Sequence, residues 1–160
     1  KAVKKGEHGA PGELKGDFDF ARDSGTLYAN TESGIFGKLS AQDAAALGGK
    51  AYSIAARDEV KTGSATILAT VNGNETKEYA IEIEKVYPAS GASRNLLLRV
   101  TDEALLEKTG GVVQGMSGSA ILQNGKLIGA VTHVLLDDSS RGYGIFIENM
   151  LDAAGLSYEA

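Results

Sequence analysis

Two hairpin signals constrain this chain most. Ala65-Thr66-Ile67-Leu68-Ala69-Thr70-Val71 is rich in strand-favouring residues, and Asn72-Gly73-Asn74 follows at once. Residues 77–86 then alternate: Tyr79, Ile81 and Ile83 share one face, extended by Lys85, and Ala80, Glu82 and Glu84 share the other. A period of two is that of a half-buried strand. Asn-Gly between two such runs favours the positive-φ turn that joins antiparallel neighbours. The pattern recurs where Ala120-Ile121-Leu122 leads through Asn124-Gly125 into a strand over 127–136. Residues 95–100 and 144–147 read as further strands. Helix is confined to short pieces. Residues 40–48 have Ser40 as N-cap, Asp43 three positions on, and Gly48-Gly49 as a stop. Residues 148–154 form a terminal helix capped by Gly155. Residues 1–15 are polar and Gly-rich and read as loop, with Ala10-Pro11-Gly12 as a turn; residues 16–39 read as short strands and turns. With 21 glycines and no βαβ unit, the pattern is that of an antiparallel barrel or sandwich.

A chain of 160 residues holds one domain with a proper core, or two small packed barrels. The net charge of -5, with scattered Lys and Arg, argues against a nucleic-acid partner. Cysteine is absent, which excludes disulfides and thiolate metal sites, and two separated histidines do not make a zinc site, so no metal or cofactor is expected. No apolar run reaches the roughly 20 residues that cross a bilayer, and no signal peptide is visible. Because the first residue is Lys1, the expectation is a piece of a longer chain.

The most informative stretch is Gly110-Gly111-Val112-Val113-Gln114-Gly115-Met116-Ser117-Gly118-Ser119-Ala120. A serine between glycines can sit on a tight loop with its hydroxyl exposed. The Gly115 N–H beside that of Ser117 would form an oxyanion hole, in which one donor is worth about 3 kcal/mol. Gly118 leaves room for substrate backbone. The same pattern also occurs in plain turns and linkers. It is not the nucleophile elbow of α/β-hydrolases, because a strand rather than a helix follows the serine.

From Val100 to Leu151 the sequence resembles the peptidase domain of the stage IV sporulation protein B (SpoIVB) family. The matching pieces are Thr101-Asp102, Leu105-Leu106, residues 109–119, residues 123–126, Gly129-Ala130-Val131-Thr132-His133-Val134 and Arg141-Gly142-Tyr143-Gly144. Upstream, residues 9–13 and Gly34-Ile35-Phe36-Gly37 are similar too. Ala120 stands where the family usually has proline, a change expected to alter loop stiffness more than chemistry.

The resemblance implies a chymotrypsin-like serine endopeptidase: a double antiparallel β-barrel with its second barrel nearly complete and a short C-terminal helix. Residues 1–160 would be one peptidase domain, short of an N-terminal part carrying the catalytic histidine, a PDZ domain and a membrane anchor. Ser117 would be the nucleophile, Gly115 and Ser117 the oxyanion hole. Asp102 falls on the family's catalytic acid; it serves equally as the cap of a helical turn with Leu105 and Leu106 inside. The family's histidine lies in a Gly-His motif upstream of the match. His8 reads as a solvated loop residue. His133 reads as cleft wall beside Thr132 and Val134, or simply as a half-buried strand residue. By analogy the specificity pocket is walled by residues 111–116, 132–134 and 142–146, including Gly111, Met116 and Gly144. Gly111 stands six places before Ser117, which argues against a trypsin-like preference for Lys or Arg. Glu82 and Glu84 are expected on a solvated face. Residues 137–140 read as a polar loop without a calcium-binding pattern.

The resemblance further implies a secreted or membrane-associated signalling protease of an endospore-forming bacterium. It would act between the membranes around the forespore, on a membrane-bound regulator of sigma-factor processing, and it would cleave itself. Its own upstream segment would supply the histidine, so this piece alone is expected to be a poor protease. The rival reading is a β-barrel that binds peptides without turnover; a purely structural domain would have its cleft sealed by side chains.

Overall fold

The computed structural model describes residues 2–7, 9–17, 19–88 and 93–158 of the chain. Two antiparallel ribbons come first: β1 (Ala2–Lys4) with β2 (Glu13–Lys15), and β3 (Gly25–Thr31) with β4 (Gly34–Leu39). Helix α1 (Ala41–Leu47) follows, with the Ser40 hydroxyl accepting the Asp43 amide at 3.1 Å, as its N-cap pattern predicts. Six strands then close a barrel in the order β10-β7-β6-β5-β8-β9. They are β5 (Gly63–Asn72), β6 (Glu75–Val86), β7 (Leu96–Val100), β8 (Ala120–Gln123), β9 (Lys126–Val134) and β10 (Arg141–Phe146). Helix α2 (Glu103–Thr109) links β7 to β8, and α3 (Ile147–Ala153) ends the fold.

The barrel follows from the alternation in the sequence. Ala65, Ile67, Ala69 and Val71 of β5 are buried, as are Tyr79, Ile81 and Ile83 of β6. They meet Leu98, Val100, Ile121 and Ile128 in one core. Each such aliphatic side chain contributes about 2 kcal/mol by leaving water. Closure also removes the sheet edges that would invite aggregation. Asn124 (φ 52°) and Gly125 (φ 77°) adopt the paired left-handed conformation of a type I′ turn, which sets the β8–β9 register.

The mainly antiparallel barrel and short C-terminal helix agree with the sequence reading. Residues 1–15 differ from it. The β1–β2 ribbon forms where a loop is expected, because Leu14 donates to Gln114 O (2.8 Å) and Gln114 donates to Gly12 O (2.9 Å). Three-residue strands carry too little periodicity to be read; docking against the Gln114 segment decides their conformation. The β3–β4 ribbon stands as a two-stranded sheet with Leu27, Tyr28 and Ile35 exposed. His8 lies outside the described residues.

Glu82 is exposed as expected, but Glu84 is not part of a solvated face. The β6–β7 register shifts between Ile83 and Lys85, and Glu84 accepts from Arg99 Nε (2.6 Å) and Arg141 Nη2 (3.1 Å). Burial alone would raise the Glu84 carboxyl, but hydrogen bonds from the two guanidiniums outweigh it and hold it below its ordinary value. A carboxyl lowered in the folded state stabilises above its unfolded pKa and loses that contribution as pH falls through the folded value. Acid titration of the wild type is therefore expected to show a Glu84-dependent loss of stability below about pH 4.5. In Glu84→Gln, urea midpoints should be lower at pH 7 and less steep in that acid window; an unchanged pH slope would contradict the assignment.

A second polar cluster ties the barrel's end to α3. Asn95 and Asn149 are buried. Asn95 Oδ1 accepts from Phe146 N (3.1 Å) and Asn149 Nδ2 (2.9 Å), while Asn95 Nδ2 donates to Tyr87 O (3.3 Å). Arg57 reaches in to donate to Glu148 and to Asn149 Oδ1.

Candidate active site

The loop before β8 is built from two consecutive tight turns. Met116 N donates to Val113 O (3.1 Å) and Ser119 N to Met116 O (2.9 Å). Each turn has glycine in its third position, Gly115 (φ 94°) and Gly118 (φ 89°), the positive φ that a type II turn demands there. Ser117 thus falls on the outer corner of the second turn, with its side chain exposed. Met116, between the two glycines, turns inward and is 1% exposed.

This loop is held from both sides. Gly118 N donates to Val131 O (2.8 Å) and Val131 N to Ser119 O (2.9 Å), fixing it to β9. On the other side Gln114 pairs with β2, and a Cβ on Gly115 would lie 3.0 Å from Leu14 Cβ. Among the described residues, the amides of Gly115 and Ser117 donate to no acceptor. Two unbonded N–H groups on exposed residues of a stiff loop are the materials of an oxyanion hole.

The Ser117 hydroxyl donates to Thr132 O at 3.1 Å. A neutral carbonyl cannot accept the proton that an attacking serine must release, so activation requires a base approaching from the open side. That side is open: two cavities flank Ser117. The smaller, about 260 Å³, is walled by Val112, Val113, Gln114 and Gly115 on one side and Val131, Thr132, His133 and Val134 on the other. The larger, about 450 Å³, runs from Ser117 and Gly118 across β9 to the β3–β4 turn at Thr31, Glu32 and Ser33. A structural domain with a sealed cleft would show neither.

The predicted site residues divide accordingly. Ser117, Gly115, Thr132, His133 and Val134 are brought together. Gly111, Met116 and Gly144 are buried and line neither cavity. A Cβ on Gly111 would meet Ser139 O at 2.1 Å, and one on Gly144 would meet Ile121 Cδ1 at 2.6 Å, so both lie inside the packing behind the cleft. Asp102 lines neither cavity; it is the N-cap of α2, accepting from Leu105 N (3.0 Å) and Ala80 N (3.3 Å). His133 lines both cavities, yet no hydrogen bond joins it to Ser117. Partial burial, and then the positive charge of Arg94, hold its imidazole below its ordinary value. Sequence reasoning missed Leu14 as a support of the loop, and it matched Gly34-Ile35-Phe36-Gly37 to the family without placing the β3–β4 turn as a cavity wall. No group of three or more His, Cys, Asp or Glu residues able to hold a metal occurs among the described residues.

The fold is similar to the crystal structure of Rv3671c protease from M. tuberculosis in its active form, with a TM-score of 0.58 and 18% sequence identity. The match covers 85% of this chain and 60% of the Rv3671c chain. No curated protein sequence matches significantly. The family model of the SpoIVB peptidase S55 matches residues 1–151, nearly the whole chain, and so assigns a protease domain of the serine type. By that match the chain belongs to the SpoIVB peptidase S55 family.

Proposed function

We propose that this chain is the nucleophile-bearing part of a serine endopeptidase within a longer parent protein. The observation that carries the reading is Ser117: exposed on a double-glycine loop, bordered by two cavities, and flanked by two unbonded amides. Ser117 Oγ attacks the peptide carbonyl, the Gly115 and Ser117 amides hold the oxyanion, and the resulting acyl-enzyme is hydrolysed by water. The base is a histidine on the parent's upstream segment. The β3–β4 ribbon is where that segment packs: a lone two-stranded ribbon is marginal in water, its apolar side chains are exposed, and its turn walls the cavity beside Ser117. Without the segment the chain hydrolyses peptides poorly.

Asp102 is given a second task by this reading, to orient the histidine. Asp102→Asn separates the two roles. Asparagine caps helices about as well as aspartate, so stability should fall by no more than about 1 kcal/mol, while cleavage by the parent falls by about 10²-fold or more. A rate reduced only in proportion to lost folded protein would leave Asp102 with capping alone.

The family suggests the setting. The parent is a sporulation signalling protease with a PDZ domain and a membrane anchor. It acts between the two membranes around the forespore, cleaves a membrane-bound regulator of sigma-factor processing, and cleaves itself. A fluorophosphonate probe tests the chemistry: the folded parent should label at Ser117 and the Ser117→Ala variant should not. A folded parent that binds peptides and never labels would favour a barrel that binds without turnover.

A further inference from the structure

One cation near His133 is unaccounted for by the proposed chemistry. The Arg94 guanidinium stacks on the Tyr143 ring, 5.4 Å from its centroid. Tyr143 is the direct cross-strand partner of His133 in the β9–β10 register, and directly opposite residues project from the same sheet face. Arg94 is thereby held on the face that carries His133, one residue along β9 from the carbonyl that holds the Ser117 hydroxyl. The connection is reinforced beneath, where Thr132 Oγ1 donates to Ser93 O at 3.1 Å and Tyr143 O at 3.2 Å. Arg94 is exposed, and no carboxylate among the described residues pairs with it. Residues 89–92, just before it, are Ala-Ser-Gly-Ala and bring no charge.

A solvated arginine on a surface is ordinary. One stacked on an aromatic ring is partly immobilised, which lowers the entropy lost when it binds a carboxylate in its fork geometry. In a chain of net charge -5, this cation acts on His133, which lines both cavities beside Ser117. Burial, and then the Arg94 charge, hold His133 toward its neutral form, whereas the Arg94 guanidinium stays charged.

We infer that Arg94, stacked on Tyr143, is a specificity-determining residue that binds an Asp or Glu side chain of the substrate within about three residues of the cleaved bond, the reach of an extended peptide lying along β9. This rests on the peptidase reading above and names the substrate class that reading leaves open: acidic peptide segments. Arg94 contacts substrate away from the reacting carbonyl and takes no part in the chemistry.

The test uses the parent protein and a positional-scanning peptide library in which Glu, Gln or Lys occupies each of three positions on either side of the cleaved bond. The wild type should cleave the pool with Glu at one of these positions about tenfold faster than the Gln pool. Arg94→Ala should lose that preference while cleaving the Gln pool at the wild-type rate, and Arg94→Glu should favour Lys at the same position. Fluorophosphonate labelling of Ser117 should proceed at equal rates in all three proteins. Labelling at wild-type rate with no acid preference in the wild type overturns the inference and leaves the peptidase reading standing. A folded parent that never labels removes the peptidase reading. In that event fluorescence anisotropy with the Glu pool decides: Arg94-dependent binding supports the acidic subsite, and binding indifferent to Arg94, or none, overturns it.

Discussion

Ser117→Ala in the parent protein is expected to reduce peptide cleavage by about 10³-fold or more and to leave the fold untouched. The rate loss follows from removing the atom that forms the acyl bond; loss of one triad member costs several orders of magnitude even when the oxyanion donors remain. The stability expectation follows from the turn. Ser117 is exposed, and its hydroxyl makes one hydrogen bond, to Thr132 O. The loop conformation belongs to Gly115 and Gly118 and to the Gly118–Val131 and Ser119–Val131 hydrogen bonds, none of which alanine disturbs. The change in unfolding free energy should lie within about 0.5 kcal/mol. Cleavage assays paired with urea denaturation check both halves. Cleavage surviving within tenfold would remove Ser117 from the chemistry.

Asn95→Ala is expected to produce the largest stability loss of any single substitution considered. Asn95 is 0% exposed and bonds in three directions, to Tyr87 O, Phe146 N and Asn149 Nδ2. Truncation removes all three bonds, leaves the buried Phe146 N–H without this acceptor at about 1–3 kcal/mol, and weakens the hold on Asn149, which in turn supports Arg57. The terms are not additive, and a total of about 4 kcal/mol is expected. Because small domains have only about 5–15 kcal/mol to lose, the variant should stay folded with a much reduced margin. Its midpoint in urea would show this; a shift equivalent to less than about 1 kcal/mol would mean that water replaces the lost bonds.

The barrel was legible because its information is local. Tyr79, Ile81 and Ile83 alternate within one strand, and Asn124-Gly125 writes its own turn. Ser40 and Asp43 likewise mark the start of α1 within four residues. The N-terminal ribbon was illegible because its pairing is decided by Gln114, about a hundred residues away. Glu84 failed for a related reason: strand periodicity gives the face of a residue, but it says nothing of Arg99 and Arg141 arriving from neighbouring strands, or of the register shift beside it. In the site, the double-glycine spacing around Ser117 correctly located the exposed corner. Spacing alone could not tell Gly111 and Gly144, buried behind the cleft, from Thr132 to Val134, which line it. That distinction depends on which face of β9 and β10 meets the loop. Asp102 carried both an acid's chemistry and a cap's position in the sequence, and the structure places it as the cap.

The most direct test is a crystal structure of the parent protein bound to a peptidyl boronic acid. A bond from Ser117 Oγ to boron is expected, with the hydroxyl withdrawn from Thr132 O and one boron-bound oxygen within about 3 Å of both the Gly115 and Ser117 nitrogens. An inhibitor seated in the cleft with Ser117 still donating to Thr132 O, or a boron oxygen held away from both amides, would contradict the assignment of this loop as the catalytic centre.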